Sequence, residues 1–556
     1  MKTQKFISVV LWLALVSLCL KSTAANVKKP HIIFIVADDL GWNDVSFHGA
    51  NEIPTPNIDA LAYNGVILNR HYVLPISSPS RSALLTGRYP IRDGTQGFDL
   101  EPGEARGIPL NRTLMPEYLR QLGYGTHLVG KWHAGYHSVN HTPARRGFDS
   151  FYGFYNKLIG YFDHTIKLLS EDGQVHIGND LHRDTPEALK VVHDKGYITD
   201  LITNEAIMII NNNGNEKPLF LEISHLASHG NQNVLDPLEV PDMQETNATF
   251  SYISDLKRRK YAGVVKSLDD SVGRVVTALS KAKMLENSII VFISDNGAPT
   301  TGMYGTSGSN YPLRGMKNSL FEGGVRGVAC IFSPLIKSAG RVSMKKMHIV
   351  DWLPTLYAAA GGNANNLNDI DGLNQWPSIV DEDVKSLRNH ILLDINLALD
   401  IEGIILENYK LIRVQPHTSN KLLSNEYYGS NGNSSFNPHY NILESALSSP
   451  TGLAISHLTE FNSTSVTKAD NVRKRSEVRC SQPKTFADCS NYCLFNLEND
   501  PCETNDLAKH SIRIRNVLIG FLYNYRKLTV QPASDVIDSR SFPENFHGTW
   551  MPWKNV

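Results

Sequence analysis

Four short apolar segments, each ending in a polar cluster, constrain the fold of this 556-residue chain more than any other feature. The segments are HIIFIVADDL (31–40), THLVGKWH (126–133), PLFLEISHLASH (218–229) and SIIVFISDNG (288–297). Apolar runs of this kind, bounded by turn signals, are typical of strands in a buried sheet. Helix-like stretches such as TPNIDALAYNG, LMPEYLRQLG and YAGVVKSLDDSVGRVVTALSKAKM lie between them. Alternation of strand and helix predicts an α/β fold with a mostly parallel sheet flanked by helices.

The polar residues that close these segments predict a ligand site. Ligands of open α/β sheets bind beyond the carboxyl ends of the strands. A solvated strand end explains any one of these clusters, but it explains four together poorly. We therefore expect the functional site at this edge of the sheet.

The character of the sequence changes after Val380. The segment HILLDINLALDIEGIILENYKLIRV (390–414) is typical of antiparallel strands joined by polar turns. We interpret the Ser/Asn-rich stretch 416–476 as loop and predict a helix near 506–526. These features predict a larger domain over 26–380 and a smaller α+β domain over 381–556.

Residues 1–25 are typical of a cleaved signal peptide. A positively charged start precedes the apolar run 6–20, and the small residues Ser22 and Ala24 follow it. The alternative, a membrane anchor, is disfavoured because the run is short for a bilayer. No later segment is apolar enough to span, so we expect no stable membrane insertion. The net charge of −1 gives no reason to expect a nucleic acid as partner.

The cysteines also indicate export. Cys480, Cys489, Cys493 and Cys502 cluster near the end of the chain and predict two disulfides. A zinc site is the alternative, but the cluster lacks a C-x-x-C pair and a nearby histidine pattern. Cys330, in the apolar run GVACIF, is predicted to be a buried free thiol. Glycosylation sequons begin at Asn111, Asn140, Asn247, Asn433 and Asn462.

Two acidic pairs stand at the ends of predicted strands. Asp38 and Asp39 close the first segment, and Asp295 and Asn296 close the last. Two buried carboxylates need a cation to offset the cost of burial. Three carboxylates and one amide oxygen are hard donors that suit calcium or magnesium rather than zinc. Two unrelated solvated acid pairs are the alternative.

The segment PISSPSRSALLTGRYP (75–90) predicts an anion-binding helix start. A Ser-rich turn with proline leads into a helix-like stretch, and helix N-termini attract anions. Arg81 would lie in the first turn, within reach of an anion or a carboxylate. Because Ser-Pro-Ser turns are common, this motif alone is a weak signal.

Several motifs together resemble the sulfatase family and, within it, the animal arylsulfatase B (N-acetylgalactosamine-4-sulfatase) group. SSPSRSALLTGRYP is similar to the signature in which C-x-P-S-R is followed by L-T-G-R, and GKWHAG (130–135) is similar to the second signature. Further matches, in family order, are ADDLGWNDVSFHG, PARRGFD, SDNGAP, LRGMKNSLFEGGVRG and CLFNLENDPCETNDL. The resemblance implies an alkaline-phosphatase-like fold, a sulfated sugar or aryl sulfate as substrate, and a lysosomal or extracellular location. It also implies a Cys493–Cys502 disulfide.

The resemblance further implies the roles of individual residues. One Ca²⁺ ion would be held by Asp38, Asp39, Asp295, Asn296 and the oxygen of Ser77. Arg81 would hold the oxygens of the nucleophile, Lys131 and Lys317 would bind the sulfate, His133 would assist the nucleophile, and His229 would protonate the leaving oxygen. His225 and His229 have the spacing of a zinc-binding helix, but the strand-like PLFLEIS before them argues against that reading. GNQ follows His229 where the family usually has E-P.

Ser77 departs from the family pattern. Family members carry a cysteine there, which the formylglycine-generating enzyme oxidises to formylglycine. Three readings follow: Ser77 is itself oxidised, Ser77 stays an alcohol with weak phosphatase or diesterase activity, or the protein binds sulfated ligands without turnover. We rank a sulfatase with reduced or unusual activation first.

Overall fold

The computed structural model describes residues 28–555 except 214, 234, 302–304, 398, 415–428, 430–436, 438–439, 459–464 and 481–486. The predicted signal peptide and the sequons at Asn433 and Asn462 lie outside the described residues. Asn111, Asn140 and Asn247 are exposed.

Seventeen strands are present in the described residues. They are β1 (His31–Ala37), β2 (Val66–Leu68), β3 (His71–Tyr72), β4 (Gly125–Lys131), β5 (Ser150–Phe154), β6 (Thr165–Leu169), β7 (Val175–Asn179), β8 (His182–Asp184), β9 (Leu219–Ser224), β10 (Ser288–Ser294), β11 (Ala329–Phe332), β12 (Arg341–Ser343), β13 (Met347–His348), β14 (His390–Asn396), β15 (Ile401–Leu406), β16 (Tyr409–Arg413) and β17 (Cys493–Asn496).

Helices connect and flank these strands. They are α1 (Pro56–Asn64), α2 (Ser77–Thr86), α3 (Met115–Gln121), α4 (Ile198–Asn213), α5 (Met243–Thr249), α6 (Leu256–Lys281), α7 (Glu322–Val325), α8 (Trp352–Ala359), α9 (Trp376–Val380), α10 (Ile442–Ser448), α11 (Pro450–Ile455), α12 (Ser465–Ser476) and α13 (Ile512–Arg526). None of the helices in the described residues is long and apolar enough to cross a membrane.

A nine-stranded sheet forms the centre of the molecule, in the order β12-β2-β11-β10-β1-β9-β4-β5-β8. Strands β10, β1, β9, β4 and β5 are parallel, while β11 and β8 pair antiparallel at either side of them. The four apolar segments are therefore four adjacent strands, and the predicted mostly parallel α/β fold is confirmed. The interior of β1 is at most 1% exposed, as expected for a strand covered on both faces.

The small sheet has the order β14-β15-β16-β17 and is antiparallel throughout, which confirms the strands predicted over 390–414. Helix α13 packs on β15 and β16, and its bounds fall within the predicted 506–526.

The interpretation of 416–476 as loop is wrong for part of that stretch, because α10, α11 and α12 lie in it. Its polar residues cap α10 and α11. Asn441 Oδ1 accepts a hydrogen bond from Glu444 N (3.2 Å), and Ser449 Oγ accepts one from Gly452 N (3.0 Å). Such caps satisfy the free N–H groups of a helix start.

Helices α10 and α11 pack against α1 beside the large sheet, and α11 also contacts α6. Near the end of the chain, Trp550 Nε1 donates to Ile166 O (3.2 Å) on β6. The residues after Val380 thus contact the larger part of the molecule in several places, and the domain boundary at 380 stays a prediction.

The two predicted disulfides are present, but the Cys493–Cys502 pairing is wrong. Cys489 pairs with Cys493 and Cys480 with Cys502, with Cα atoms 5.0 and 6.0 Å apart respectively. A tight turn brings Cys489 next to Cys493, and β17 then carries the chain away from Cys493 before Cys502 is reached. Cys330 is a buried free thiol on β11, as predicted.

Candidate active site

The polar ends of the parallel strands meet at one edge of the large sheet. Ala37 of β1 lies opposite Ser294 of β10, and Ser224 of β9 lies opposite both Val36 and Gly130. The residues that directly follow β1 and β10, and Lys131 at the end of β4, therefore converge. This common register explains how acids and bases from distant sequence positions form one cluster.

The acidic half of the cluster consists of Asp38, Asp39, Asp295 and Asn296, all at most 1% exposed. Asn296 Nδ2 donates to Asp39 Oδ1 (2.6 Å), and the backbone N–H of Asp39 donates to Asp295 Oδ1 (3.2 Å). Asp39 has a positive φ of 61°, a conformation that aspartate tolerates better than most residues. Strain of this kind concentrates at functional sites.

Three cations balance these acids. Lys131 Nζ lies 2.7 Å from Asp38 Oδ2, Lys317 Nζ lies 2.7 Å from Asp39 Oδ1, and Arg81 Nη2 lies 2.8 Å from Asp295 Oδ2. Each cation therefore has an acidic partner, which offsets the cost of burying both charges.

The pKa values of the cluster reflect this balance. Burial raises the pKa of Asp38, but Lys131, His229 and Arg81 outweigh burial and hold it below its usual value. Burial lowers the pKa of Lys317, but Asp39 and Asp99 outweigh burial and raise it. Burial lowers the pKa of Lys131, in spite of Asp38.

Ser77 is the first residue of α2 and is fully buried. Its Oγ lies 3.0 Å from Asn296 Oδ1 and 3.2 Å from Asp38 Oδ1, both of which accept its hydrogen bond. Ile76 before it is extended, and Ser80 Oγ accepts from Leu74 N (2.9 Å), which fixes the entry into the helix. The hydroxyl is thus held at the centre of the cluster.

The two predicted site histidines contact different residues of the site. His229 Nε2 is 3.5 Å from Asp39 Oδ2, and Tyr161 OH donates to the backbone oxygen of His229 (2.7 Å). His133 Nε2 lies 2.9 Å from the hydroxyl of Ser78 rather than bonding Ser77. Burial lowers the pKa of both imidazoles, with Lys131 adding to the effect at His133.

His225 does not join this cluster. Its Nε2 lies 3.1 Å from Ser271 Oγ on α6, and burial lowers its pKa to about 3. The pair His225 and His229 thus does not share a site, in agreement with the rejection of a zinc-binding helix.

Asp99 is a site residue that the sequence reasoning missed. Its Oδ1 accepts a hydrogen bond from the backbone N–H of Ser78 (3.1 Å) and lies 4.0 Å from His133 Nδ1. Burial raises its pKa, but Lys317, His133 and Lys131 outweigh burial and hold it well below the usual value. Asp99 lies in a loop without periodicity, so no sequence signal pointed to it.

Gly130 allows β4 to pack closely against β9, which positions Lys131 at the end of β4. It has a φ of +103°, and a Cβ there would lie 1.9 Å from Ser224 O on the neighbouring strand. Any larger residue would push β4 away from β9, and with it the Lys131 amine.

The donor set fits a calcium ion. Asp38, Asp39 and His229 offer atoms within 4.8 Å of one another, and Asp295, Asn296 and Ser77 add oxygens to the same cluster. Calcium takes oxygen ligands from carboxylates and amides, so the oxygens rather than the imidazole suit the ion.

A cavity of about 640 Å³ opens beside the cluster. Ile76, Asp99 and Lys317 line its inner end. Lys317 of the cluster and Ile76, which directly precedes Ser77, therefore border a space that a small organic molecule can enter.

Comparison with known proteins identifies the family. A family model described as Sulfatase matches residues 30–362. Arylsulfatase J of Mus musculus is 34% identical over 541 residues, which are 95% of this chain and 81% of the mouse protein. N-acetylgalactosamine-6-sulfatase of Homo sapiens is 31% identical over 364 residues, which are 64% of this chain and 66% of the human protein.

Solved structures share the fold. The crystal structure of Ps i-CgsB is similar with a TM-score of 0.67 and 28% identity, covering 91% of this chain and 94% of that one. The PsFucS1 sulfatase from Pseudoalteromonas sp. has a TM-score of 0.65 at 21% identity, covering 94% and 95%. The central sheet is that of the alkaline-phosphatase-like sulfatases, and the chain belongs to the sulfatase family.

Proposed function

We propose that this protein is a sulfuric ester hydrolase of the arylsulfatase B type whose turnover requires oxidation of Ser77 to formylglycine. The position of the Ser77 hydroxyl carries the proposal. It lies between Asp38 and Asn296, in the cluster that holds three cations, and directly after Ile76, which lines the cavity. This is where a sulfate ester would meet both a nucleophile and positive charge.

Binding of the sulfate group falls to the cations. Lys131 and Lys317 point their amines at the cluster from two different segments, and Arg81 holds Asp295 from α2. Preorganised positive groups of this kind stabilise the charge that develops on the sulfate oxygens. Ca²⁺, held by Asp38, Asp39, Asp295, Asn296 and the Ser77 oxygen, would supply further positive charge when bound.

His229 is proposed as the proton donor for the leaving oxygen. Its Nδ1 lies 2.6 Å from Gly230 O, and its Nε2 faces the cluster at Asp39. An imidazole fixed through one nitrogen can hold a proton on the other. Asp38, which accepts from Ser77, orients the nucleophilic oxygen.

The oxidation state of Ser77 decides between turnover and binding. An unmodified alcohol that attacks sulfur forms a serine sulfate ester, while the bond to the leaving oxygen breaks and His229 protonates that oxygen. No second hydroxyl then exists to expel sulfate, so the reaction stops or waits for water. Hydrated formylglycine supplies that second hydroxyl. The oxidation removes two protons and two electrons, and we propose that a formylglycine-generating enzyme catalyses it and passes the electrons to an oxidant such as molecular oxygen.

A second candidate function is binding of sulfated ligands without turnover. It is supported by the three cations, whose pairing with Asp38, Asp39 and Asp295 involves no atom of Ser77. The unmodified protein would therefore hold a sulfate ester without hydrolysing it.

The substrate and location are also proposed rather than established. The relatives include proteins named for aryl sulfates and for a sulfated amino sugar, and we propose a sulfated sugar or an aryl sulfate here. Two disulfides and three exposed sequons support passage through the secretory pathway, with a lysosomal or extracellular destination.

Substitution of Ser77 by cysteine tests the proposal. In animal cells, Ser77→Cys should give the maturation enzyme its usual target, so sulfate release from para-nitrophenyl sulfate should rise. Ser78→Cys, one residue further along the same helix, is the matched control and should give no rise. A well-folded Ser77→Cys protein with oxidised cysteine and no sulfate release would contradict the proposal.

A further inference from the structure

Most of the cavity is lined by residues from outside the site cluster. Two loop segments form most of the cavity walls, 96–106 before α3 and 529–535 after α13. Asn396 and Leu397, at the end of β14, complete the lining. A ligand whose sulfate reaches Lys317 must place the rest of its body between these walls.

The charges of the lining are mostly negative. The lining carboxylates are Asp99, Glu101, Glu104 and Asp535, and the lining cations are Arg106 and Lys317. Arg106 Nε donates to Glu104 Oε2 (2.5 Å), and Lys317 binds Asp39. Both cations in the described lining are thus engaged by acids. Lys157, outside the lining, pairs with Glu101, so Asp99 and Asp535 carry the excess negative charge.

This charge pattern disfavours a second anionic group on the ligand. The Asp99 side chain is partly exposed and that of Asp535 is exposed at the surface. A further sulfate or carboxylate on the ligand body would lie near these acids and meet repulsion.

Apolar and neutral polar side chains share the rest of the lining. The polar ones are Gln96, Asn318, Asn396, Thr529, Gln531 and Ser534. Phe98 is 58% exposed and Leu397 53% exposed, although exposing such side chains to water is unfavourable. Ile76, Pro532 and Ala533 extend the apolar lining. An exposed aromatic ring beside a cavity offers a flat face against which a ring of a ligand can pack.

We infer that the site takes a sulfate monoester carried on an uncharged body with an apolar ring face, and that it disfavours polyanionic glycans. The inference rests on the proposed sulfate-ester function and specifies its substrate class. The sulfate is the single negative charge for which the site provides cations, and Phe98 with its apolar neighbours receives the body.

Binding to full-length Ser77→Ala protein in the presence of calcium tests the inference without turnover. The probes are inorganic sulfate, para-nitrophenyl sulfate and a chondroitin sulfate tetrasaccharide, measured by calorimetry. We expect the aryl sulfate to bind at least about ten-fold more tightly than either of the others. A tetrasaccharide that binds as tightly as the aryl sulfate would overturn the inference, and so would an aryl sulfate no better than inorganic sulfate.

Binding of inorganic sulfate distinguishes a failure of the proposed substrate class from a failure of the proposed sulfate-ester site. Sulfate binding with no gain from the aryl group overturns the substrate class and leaves the sulfate-ester site standing. No binding of any probe overturns both.

Two substitutions with matched controls test whether cavity residues determine which ligand binds. Phe98→Ala should weaken aryl sulfate binding about five-fold or more, while Phe162→Ala, an exposed phenylalanine outside the cavity, should not. Asp535→Lys should strengthen tetrasaccharide binding several-fold, while Asp172→Lys, on the exposed turn between β6 and β7, should not. Equal effects of a substitution and its control would overturn the assignment of the cavity.

Discussion

Two buried charge clusters in this molecule look alike in burial and differ in surroundings. The site cluster joins Asp38, Asp39 and Asp295 to three cations at the sheet edge. The junction cluster, defined as Glu322, Lys410, Glu503 and Tyr72, joins β16 of the small sheet to β3 and α7. Lys410 Nζ lies 2.9 Å from Glu322 and 2.8 Å from Glu503, and all three side chains are fully buried.

The difference lies in what each cluster borders. Tyr72 OH donates to Glu322 Oε2 (3.0 Å), and the backbone N–H of Glu322 donates to Glu503 Oε2 (2.7 Å), so the junction cluster is enclosed by the protein itself. The site cluster borders a cavity of about 640 Å³ and contains a hydroxyl. Buried charge alone therefore does not identify a reaction site; an accessible space and a nucleophile are needed as well.

Removal of the Ser77 hydroxyl should have the largest effect on activity. Ser77→Ala leaves the cations in place and deletes the nucleophile, so sulfate release should fall by at least about 10³-fold while the protein still unfolds in one cooperative transition. Ser78→Ala should lose much less. Retained turnover in Ser77→Ala would show that another group attacks the ester.

Disruption of the junction cluster should instead cost stability. Lys410→Met leaves two buried carboxylates without their cation, which should lower the free energy of unfolding by about 3–5 kcal/mol. Lys474→Met, which removes an exposed pair with Asp470, should cost less than about 1 kcal/mol. Denaturant titration measures both, and equal losses would contradict the structural role of the junction cluster.

Removal of calcium should lower the stability of the protein through the site cluster and not through the junction cluster. The site cluster offers the oxygens for Ca²⁺, so saturating calcium at a hundred times Kd should stabilise the protein by about 2.7 kcal/mol over a chelator-treated sample. Asp295→Asn should reduce this difference, and Lys410→Met should not. Identical unfolding curves with calcium and with chelator would argue against the metal site.

A gradual change of stability with pH is expected from the small sheet. Burial raises the pKa of Asp394 on β14 to about 7, whereas the unfolded chain titrates near about 3.9. Between these values the folded state keeps a proton that the unfolded state has lost. Stability should therefore fall as pH rises, by up to about 1.4 kcal/mol per pH unit.

Asp394→Asn should flatten this dependence, because the amide does not titrate. Asp383→Asn, an exposed substitution outside the sheets, should leave the slope unchanged. Unfolding measured at several pH values between about 4 and 7 provides the check, and an unchanged slope in Asp394→Asn would assign the dependence to other groups.

The sequence predicted the sheet and the convergence of its strand ends because both follow from local periodicity. Asp38 and Asp295 directly follow apolar runs, and parallel strands bring such positions together. Asp99 was not predictable in this way, since it reaches Ser78 from a loop.

Other errors have related physical causes. The disulfide pairing depends on the turn between Cys489 and Cys493, which spacing alone does not determine. The Ser/Asn-rich stretch looked like loop because the same residue types also cap helices, as Asn441 and Ser449 do.

The central claim is that turnover requires oxidation of Ser77. The most direct test is the mass of the peptide His71–Arg81, taken from protein purified from its native tissue. Trypsin should release this peptide intact, with Ser77 inside it. The account predicts that sulfatase-active protein carries a fraction lacking two hydrogens at Ser77, and that activity scales with this fraction. Sustained sulfate release from protein in which Ser77 is entirely unmodified would contradict it.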